Sequence, residues 1–325
     1  MNESSTIRIG TRGSLLARTQ AEGFAAGLRR AGVDVELSTI ATTGDLRTDV
    51  PIAGLVREGQ GDGVFVRELE QALRDGRIDA AVHSCKDLPT TLPAGLELAC
   101  VPGRAEPFDV VVGRTAGTLA TLPAGAVVGT SSVRRVMQVR LLRPDVEVRA
   151  VRGNVDTRLR KLDAGEVDCL ILAGAGLARL GLAERITEVL RPPSFWPAIA
   201  QGALAIEVRA DDERTRAAVR LLDCPTTHAA VRAERCCLAA LAGGCLAPIG
   251  GWARAEGESL RLGAVVFGTV DGRVSRVVAE AVSGGKGDSP EALGRRVAAD
   301  LLTRGADSML ASVRSQLATP LNQKC

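Results

Sequence analysis

Tyrosine is absent from this 325-residue chain, and all aromatic residues together make up 2% of it. A protein that binds nucleic acid by stacking bases would have almost no platforms here, so no nucleic-acid partner is expected. Histidine is nearly missing as well. His83 and His228 are the whole supply, and the eight cysteines include no C-x-x-C pair. That combination argues against zinc, and no metal is expected. No apolar run reaches the roughly 18 residues needed to span a bilayer. The residues from Met1 to Ile7 also lack the apolar core of an export signal. The expectation is a cytoplasmic protein with no membrane partner and with free thiols.

Lysine is the third scarcity. Lys86, Lys161, Lys286 and Lys324 are the only lysines among 41 basic residues, and the other 37 are arginines. Arginine's planar fork matches carboxylate or phosphate bidentately. In a chain this rich in alanine and glycine, however, codon bias accounts for much of the preference. The net charge of +3 does not by itself imply a polyanionic partner. The chain is otherwise ordinary for a globular protein, with 46% hydrophobic and 24% charged residues. Its length suits two or three domains at about 150 residues each.

Along residues 6–103 the pattern is strand, helix, strand, loop, helix, strand. Ser14 is placed to cap a helix with the apolar stripe Ala17, Ala21, Phe24, Ala25 and Leu28, ended by Gly32. A second helix over 66–74 leads to a strand at 78–82. Residues 53–63, with glycines at 54, 59, 61 and 63 and few apolar anchors, read as a mobile loop. A second unit of the same kind has strands at 110–112, 127–129, 146–151 and 169–172. Its helices follow Ser131/Ser132 and Asn154, and a short one runs through Leu180. Both units read as mostly parallel α/β sheets. Pro192, Pro193 and Pro197 mark a crossover, and a strand at 203–208 is placed to return to the first unit. Beyond Pro225 the order changes. A helix over 228–241 precedes the Gly243-Gly244-Cys245 turn, two strands join near Asp271-Gly272, and Ser289-Pro290 opens a helix that Gly305 closes. This reads as a small α+β domain.

Charge is concentrated. Residues 131–162 hold nine basic side chains (Arg134, Arg135, Arg140, Arg143, Arg149, Arg152, Arg158, Arg160, Lys161) against Asp145, Glu147 and Asp156, a local balance of +6. The reading is a lobe that faces an anion. Gly129-Thr130-Ser131-Ser132-Val133-Arg134-Arg135 leaves a strand and enters a helix, where free N–H groups favour negative charge. Arg152-Gly153-Asn154 repeats the arrangement. The first unit answers with Thr11-Arg12-Gly13-Ser14 and His83-Ser84-Cys85-Lys86-Asp87. In open α/β sheets ligands sit beyond the carboxyl ends of the strands, so these turns should converge on one crevice. Asp87, the only carboxylate expected at its edge, suits stabilising a cationic intermediate or relaying protons. Cys245, after two glycines, is open to close approach and is a nucleophile by type. Cys236-Cys237 reads as core.

These motifs are similar to those of the hydroxymethylbilane synthase (porphobilinogen deaminase) family. The likeness runs from Ile9-Gly10-Thr11-Arg12 to beyond Pro248 and includes HSCKDLPT from His83, GTSSVRR from Gly129 and RGNVDTRLRKLD from Arg152. It continues through LAGAGLARLGL from Leu172, AQGALAIE from Ala200 and GGCLAPIGG from Gly243. The resemblance implies two lobes like a type II periplasmic binding protein, over 1–103 with 203–221 and over 107–197, and a cofactor-bearing domain over 225–325. It implies a dipyrromethane joined to Cys245 by a thioether. Four porphobilinogens would be added head to tail with loss of ammonia, and hydrolysis would release 1-hydroxymethylbilane for tetrapyrrole biosynthesis. By position in the motifs, Asp87 is the catalytic carboxylate. Lys86, Ser132, Arg134, Arg135 and Arg158 hold the cofactor, and Arg12, Ser14, Arg152, Arg179 and Gln201 bind substrate. A monomer is expected. The chain departs from many relatives where Glu58 and Asp62 stand in a loop often rich in lysine, and at Gly13 and Cys85, where glutamine and methionine are common. A binding-only receptor would share the lobes and the anion crevice, but would carry an export signal and lack the Gly-Gly-Cys turn.

Overall fold

The computed structural model describes residues 6–42, 66–115, 117–243, 247–284 and 288–318. The expected loop at 53–63, with Glu58 and Asp62, lies outside them, as does Cys245 with its neighbours 244 and 246. The first sheet begins with β1 (Ile7–Arg12), α1 (Leu15–Arg30) and β2 (Val35–Ile40), with Ile7 level with Val35 in a parallel pair. As expected, Ser14 caps α1, its Oγ accepting from the Ala17 N–H at 3.3 Å. Then come α2 (Arg67–Arg74), β3 (Ala80–Ser84) and β4 (Leu96–Cys100). Ala21, Phe24, Ala25 and Leu28 of α1 bury one sheet face with Ile7, Ile9 and Val82. Leu69 and Leu73 of α2 cover the other with Ile78 and Leu96.

The second sheet contains β5 (Asp109–Gly113), β6 (Val127–Gly129), β7 (Glu147–Arg149), β8 (Cys169–Ala173) and β9 (Glu188–Leu190). Helices α3 (Val133–Leu142), α4 (Val155–Asp163) and α5 (Gly174–Arg179) connect them. The chain then returns as β10 (Leu204–Arg209), which inserts antiparallel between β3 and β4. The sheets share one topology. Their orders are β2-β1-β3-β10-β4 and β7-β6-β8-β5-β9, and in each the fourth strand is antiparallel and arrives by a crossover from the other sheet. Two α/β lobes of like strand order, joined by two chain crossings, are what the motifs lead us to expect.

After α6 (Glu213–Arg220), the third unit consists of α7 (Pro225–Ala240), β11 (Ile249–Glu256), β12 (Ser259–Val270), β13 (Arg273–Val282), α8 (Pro290–Thr303) and α9 (Ala306–Ala318). Asp271 and Gly272, both at positive φ, make the expected hairpin turn. The sheet has three strands rather than the two expected, because a second turn at Gly257 (φ +59°) separates β11 from β12. Helices α7 and α8 pack on this sheet through Val231, Cys237, Val297 and Leu301. Met137 of α3 and Trp196 meet Val265 and Phe267 of β12, so the second lobe leans on the third unit.

Candidate active site

Asp109 opens β5 opposite Ala173, the last residue of β8, and Ser84 at the end of β3 faces Leu204, the first residue of β10. Where an antiparallel strand begins, its parallel neighbours end. Both crossovers therefore enter the sheets at the edge where the ligand-binding turns lie. There Arg12 closes β1, Ser132 and Asn154 are the N-cap residues of α3 and α4, and a single helical turn, Cys85–Asp87, follows β3.

A polar network ties these pieces together. Lys86 Nζ donates to Gln201 Oε1 at 3.2 Å, and Gln201 Nε2 donates to the Pro107 carbonyl at 2.7 Å and to Asp109 Oδ1 at 2.9 Å. Arg134 Nη1 donates to Asp109 Oδ2 at 2.7 Å and to the Trp196 carbonyl. Arg135 donates to Asp109 Oδ1 through Nε (3.0 Å) and Nη2 (2.6 Å), and to the Ile171 carbonyl through Nη1. Asp109 is wholly buried, and burial alone would raise its pKa. The charges of Arg134 and Arg135 reverse that and hold it far below the usual carboxylate range.

Arg134 and Arg135, expected to hold the cofactor, both bind a carboxylate of the protein itself. Guanidinium groups this buried require a counter-charge, and Asp109 supplies it. Arg143 and Arg149 pair locally with Asp145 and Glu147, which the balance of +6 already counts, whereas Asp109 lies outside that stretch and lowers the balance by one. Asp87 is also not the only carboxylate at this edge. The sequence reading missed Asp109 because Asp109-Val110-Val111-Val112 looks like the start of an ordinary buried strand. The available signal was an aspartate opening an apolar run just after a crossover.

Positive charge still exceeds negative. Burial lowers the Lys86 ammonium to about 8, with Arg135 and Arg134 adding to the effect and Asp87 and Asp109 opposing it. Burial lowers Arg158 to about 10, Arg135 and Arg152 reinforce the shift, and Asp87 opposes it. The Arg158 Nε donates to the Gly153 carbonyl at 2.8 Å. Arg179, also lowered by burial, reaches the Gly202 carbonyl at 2.7 Å. Arg12, Ser14, Asp87, Ser132, Arg152, Arg158 and Arg179 are all partly exposed. His83 turns away from it, into the first lobe, to Glu207 Oε2 at 3.1 Å. Cys85 packs in the core, where burial pushes its thiol up to about 11, and Cys237 is buried as expected.

The family model described as "Porphobilinogen deaminase, dipyromethane cofactor binding domain" matches residues 7–217, and the one for the "Porphobilinogen deaminase, C-terminal domain" matches 228–303. The chain is 48% identical over 310 residues to the porphobilinogen deaminase of Acidothermus cellulolyticus, covering 94% of this chain and 91% of that one. It is also 48% identical over 312 residues to that of Desulforudis audaxviator, covering 95% and 98%. Among solved structures it is similar to the methionine binding protein MetQ, with a TM-score of 0.42 and 14% identity over 67% of this chain and 91% of that one. With both family models matched in order across the two lobes and the third unit, and identity near one half over almost the whole length, the chain belongs to the porphobilinogen deaminase family.

Proposed function

We propose that this chain joins four porphobilinogen molecules head to tail, releasing one ammonia at each step, and frees 1-hydroxymethylbilane by hydrolysis. The observation that carries this reading is the cation-rich junction in which Lys86 of the first lobe meets Arg134, Arg135 and Asp109 of the second through Gln201. Porphobilinogen bears an acetate and a propionate, so each addition brings two more negative charges. A cleft whose ammonium is depressed by burial, with Arg135 and Arg134 adding to the effect, gains stability from such an anion. The donor set also fits a dipyrromethane, whose side chains are carboxylates of the same kind. When bound, that group supplies the nucleophilic pyrrole carbon to which the first substrate is joined. Cys245, two residues beyond Gly243 at the end of α7, is assigned as its attachment point.

The roles follow from charge. Lys86, Ser132 and Arg158 hold the primer's carboxylates. Arg134 and Arg135, fixed by Asp109, form a positive floor, and Arg12, Ser14, Arg152 and Arg179 receive incoming substrate. Gln201 orients Lys86. As ammonia leaves, the substrate's aminomethyl carbon becomes the end of a delocalised cation. A new C–C bond then forms there, and the attacked pyrrole carbon loses its proton. Asp87 accepts hydrogen bonds from pyrrole N–H groups and stabilises the cation through its negative charge. The test is the intact mass of the purified protein. It should exceed the polypeptide mass by two pyrrole units, and Cys245→Ala should remove the increment. An unchanged adduct in that variant would move the attachment, and no adduct in the wild type would remove the proposal.

A further inference from the structure

Three backbone carbonyls immediately after the Asp87 turn accept hydrogen bonds from one side chain of the third unit. Arg235, on α7, donates through Nη1 to the Leu88 carbonyl at 3.1 Å, and through Nη2 to those of Pro89 (2.6 Å) and Thr90 (3.2 Å). The same turn is anchored on its other side by the Cys85 N–H, which donates to the Ala203 carbonyl at 3.0 Å. Cys85 and Leu88 belong to the apolar cluster of Ala230, Val231, Ala233 and Cys237 of α7. The segment carrying Lys86 and Asp87 is therefore fixed by a helix that lies more than 130 residues later in the chain and precedes Cys245 in the sequence.

We propose that Arg235 is a positioning residue for Asp87, through which the third unit sets the place of the catalytic carboxylate relative to the primer that the same unit carries. The guanidinium touches no reacting atom. It holds the loop whose displacement would move the Asp87 carboxylate away from the developing cation. The helix that holds the Asp87 turn ends at Ala240, five positions before Cys245 in the chain. Displacements of about 1 Å at such groups cost up to a hundredfold in rate. The proposal rests on the reading of Asp87 given above.

The test compares wild type, Arg235→Ala, Arg235→Lys, Asp87→Ala and the double variant Asp87→Ala/Arg235→Ala, each purified as holoenzyme. Intact mass, kcat and KM for porphobilinogen are measured per cofactor-bearing molecule. Arg235→Ala should keep the cofactor mass and lower kcat about tenfold, with KM changed less than about twofold, the signature of an interaction felt in the transition state. Arg235→Lys should recover part of the loss, since an ammonium reaches fewer of the three carbonyls than the fork does. In the Asp87→Ala background the same change should reduce the residual rate by less than about twofold. Wild-type kcat in Arg235→Ala overturns the proposal, as does a tenfold fall that persists without Asp87. If Arg235→Ala yields no holoenzyme, wild-type kcat in Arg235→Lys overturns it instead. Normal turnover in Asp87→Ala alone would instead refute the role of Asp87, which separates the two failures.

Discussion

Arg104 and Glu234 form a two-pronged ion pair where the first crossover meets the third unit, with Nη1 to Oε1 at 2.6 Å and Nη2 to Oε2 at 3.1 Å. The Glu234 carboxylate is fully buried and also accepts the N–H groups of Ala200, in the second crossover, and of Ala253, in β11. One side chain thus joins both crossovers to the third sheet. Glu234→Ala would leave a buried guanidinium and two buried N–H groups without their acceptor. It should cost about 3–5 kcal/mol in urea denaturation. A loss below about 1 kcal/mol would mean that water replaces the carboxylate and the junction is looser than its distances imply.

Asp109→Asn should be as damaging, for a different reason. The carboxylate offsets two adjacent buried guanidiniums, so removing its charge leaves Arg134 and Arg135 repelling each other. A carboxylate held below its unfolded value contributes stability above pH of about 4 and loses it as pH falls through the folded value. The wild type should therefore lose stability on acidification, and the variant should lose less. Acid titrations of the two, followed by circular dichroism, check this. Parallel curves would remove Asp109 from the balance.

Lys86 predicts an alkaline effect of opposite kind. Its ammonium, lowered from 10.5 to about 8, is destabilising while charged. That cost is fully present below pH 8 and is relieved as pH rises from 8 towards 10.5, where only the unfolded chain still holds the proton. An anion that pairs with Lys86 restores the charge and takes up a proton above pH 8. Loading the apoprotein with its dipyrromethane should accordingly take up a proton above pH 8 in the wild type, and this uptake should disappear in Lys86→Gln. Proton uptake on loading that is the same in both proteins between pH 8 and 9.5 would refute the linkage.

Gly202 has φ +88°, and a Cβ there would lie 2.4 Å from the Ala105 carbonyl oxygen. The two crossovers touch at this point, where the Ala105 N–H donates to the Gly202 carbonyl at 3.3 Å, and Arg179 donates to that same carbonyl. Gly202→Ala should destabilise by more than about 1 kcal/mol, since both the conformation and the space are wrong for alanine. Thermal unfolding of the variant measures it, and an unchanged midpoint would show that the crossovers separate freely.

Elements with strong local signals were legible. Ser14 and Ser289 cap their helices through side-chain oxygens, and the hairpin at Asp271-Gly272 has the positive φ values its residues favour. Strands β4 and β9 and helices α6 and α9 were not. Glu188–Leu190 is too short to show a period, and the polar face of Glu213–Arg220 hides the burial of Thr215 and Val219. Turn motifs located most of the candidate site, whereas Asp109, Glu234 and Arg235 escaped notice. Each of the three works on partners 19 to 147 positions away, and nothing within a few residues marks that.

By itself, then, the order of residues determined the alternation of helices and strands, the turns rich in hydroxyls and guanidiniums, and the family, because these depend on neighbours within a few positions or on motifs read as strings. Only the tertiary structure decided which cations keep free donors and which are neutralised within the protein. It also decided which helix supports the Asp87 turn. Burial and counter-charge are set by segments brought together from distant parts of the chain, and the cost of an unpaired buried charge then dictates which groups must pair.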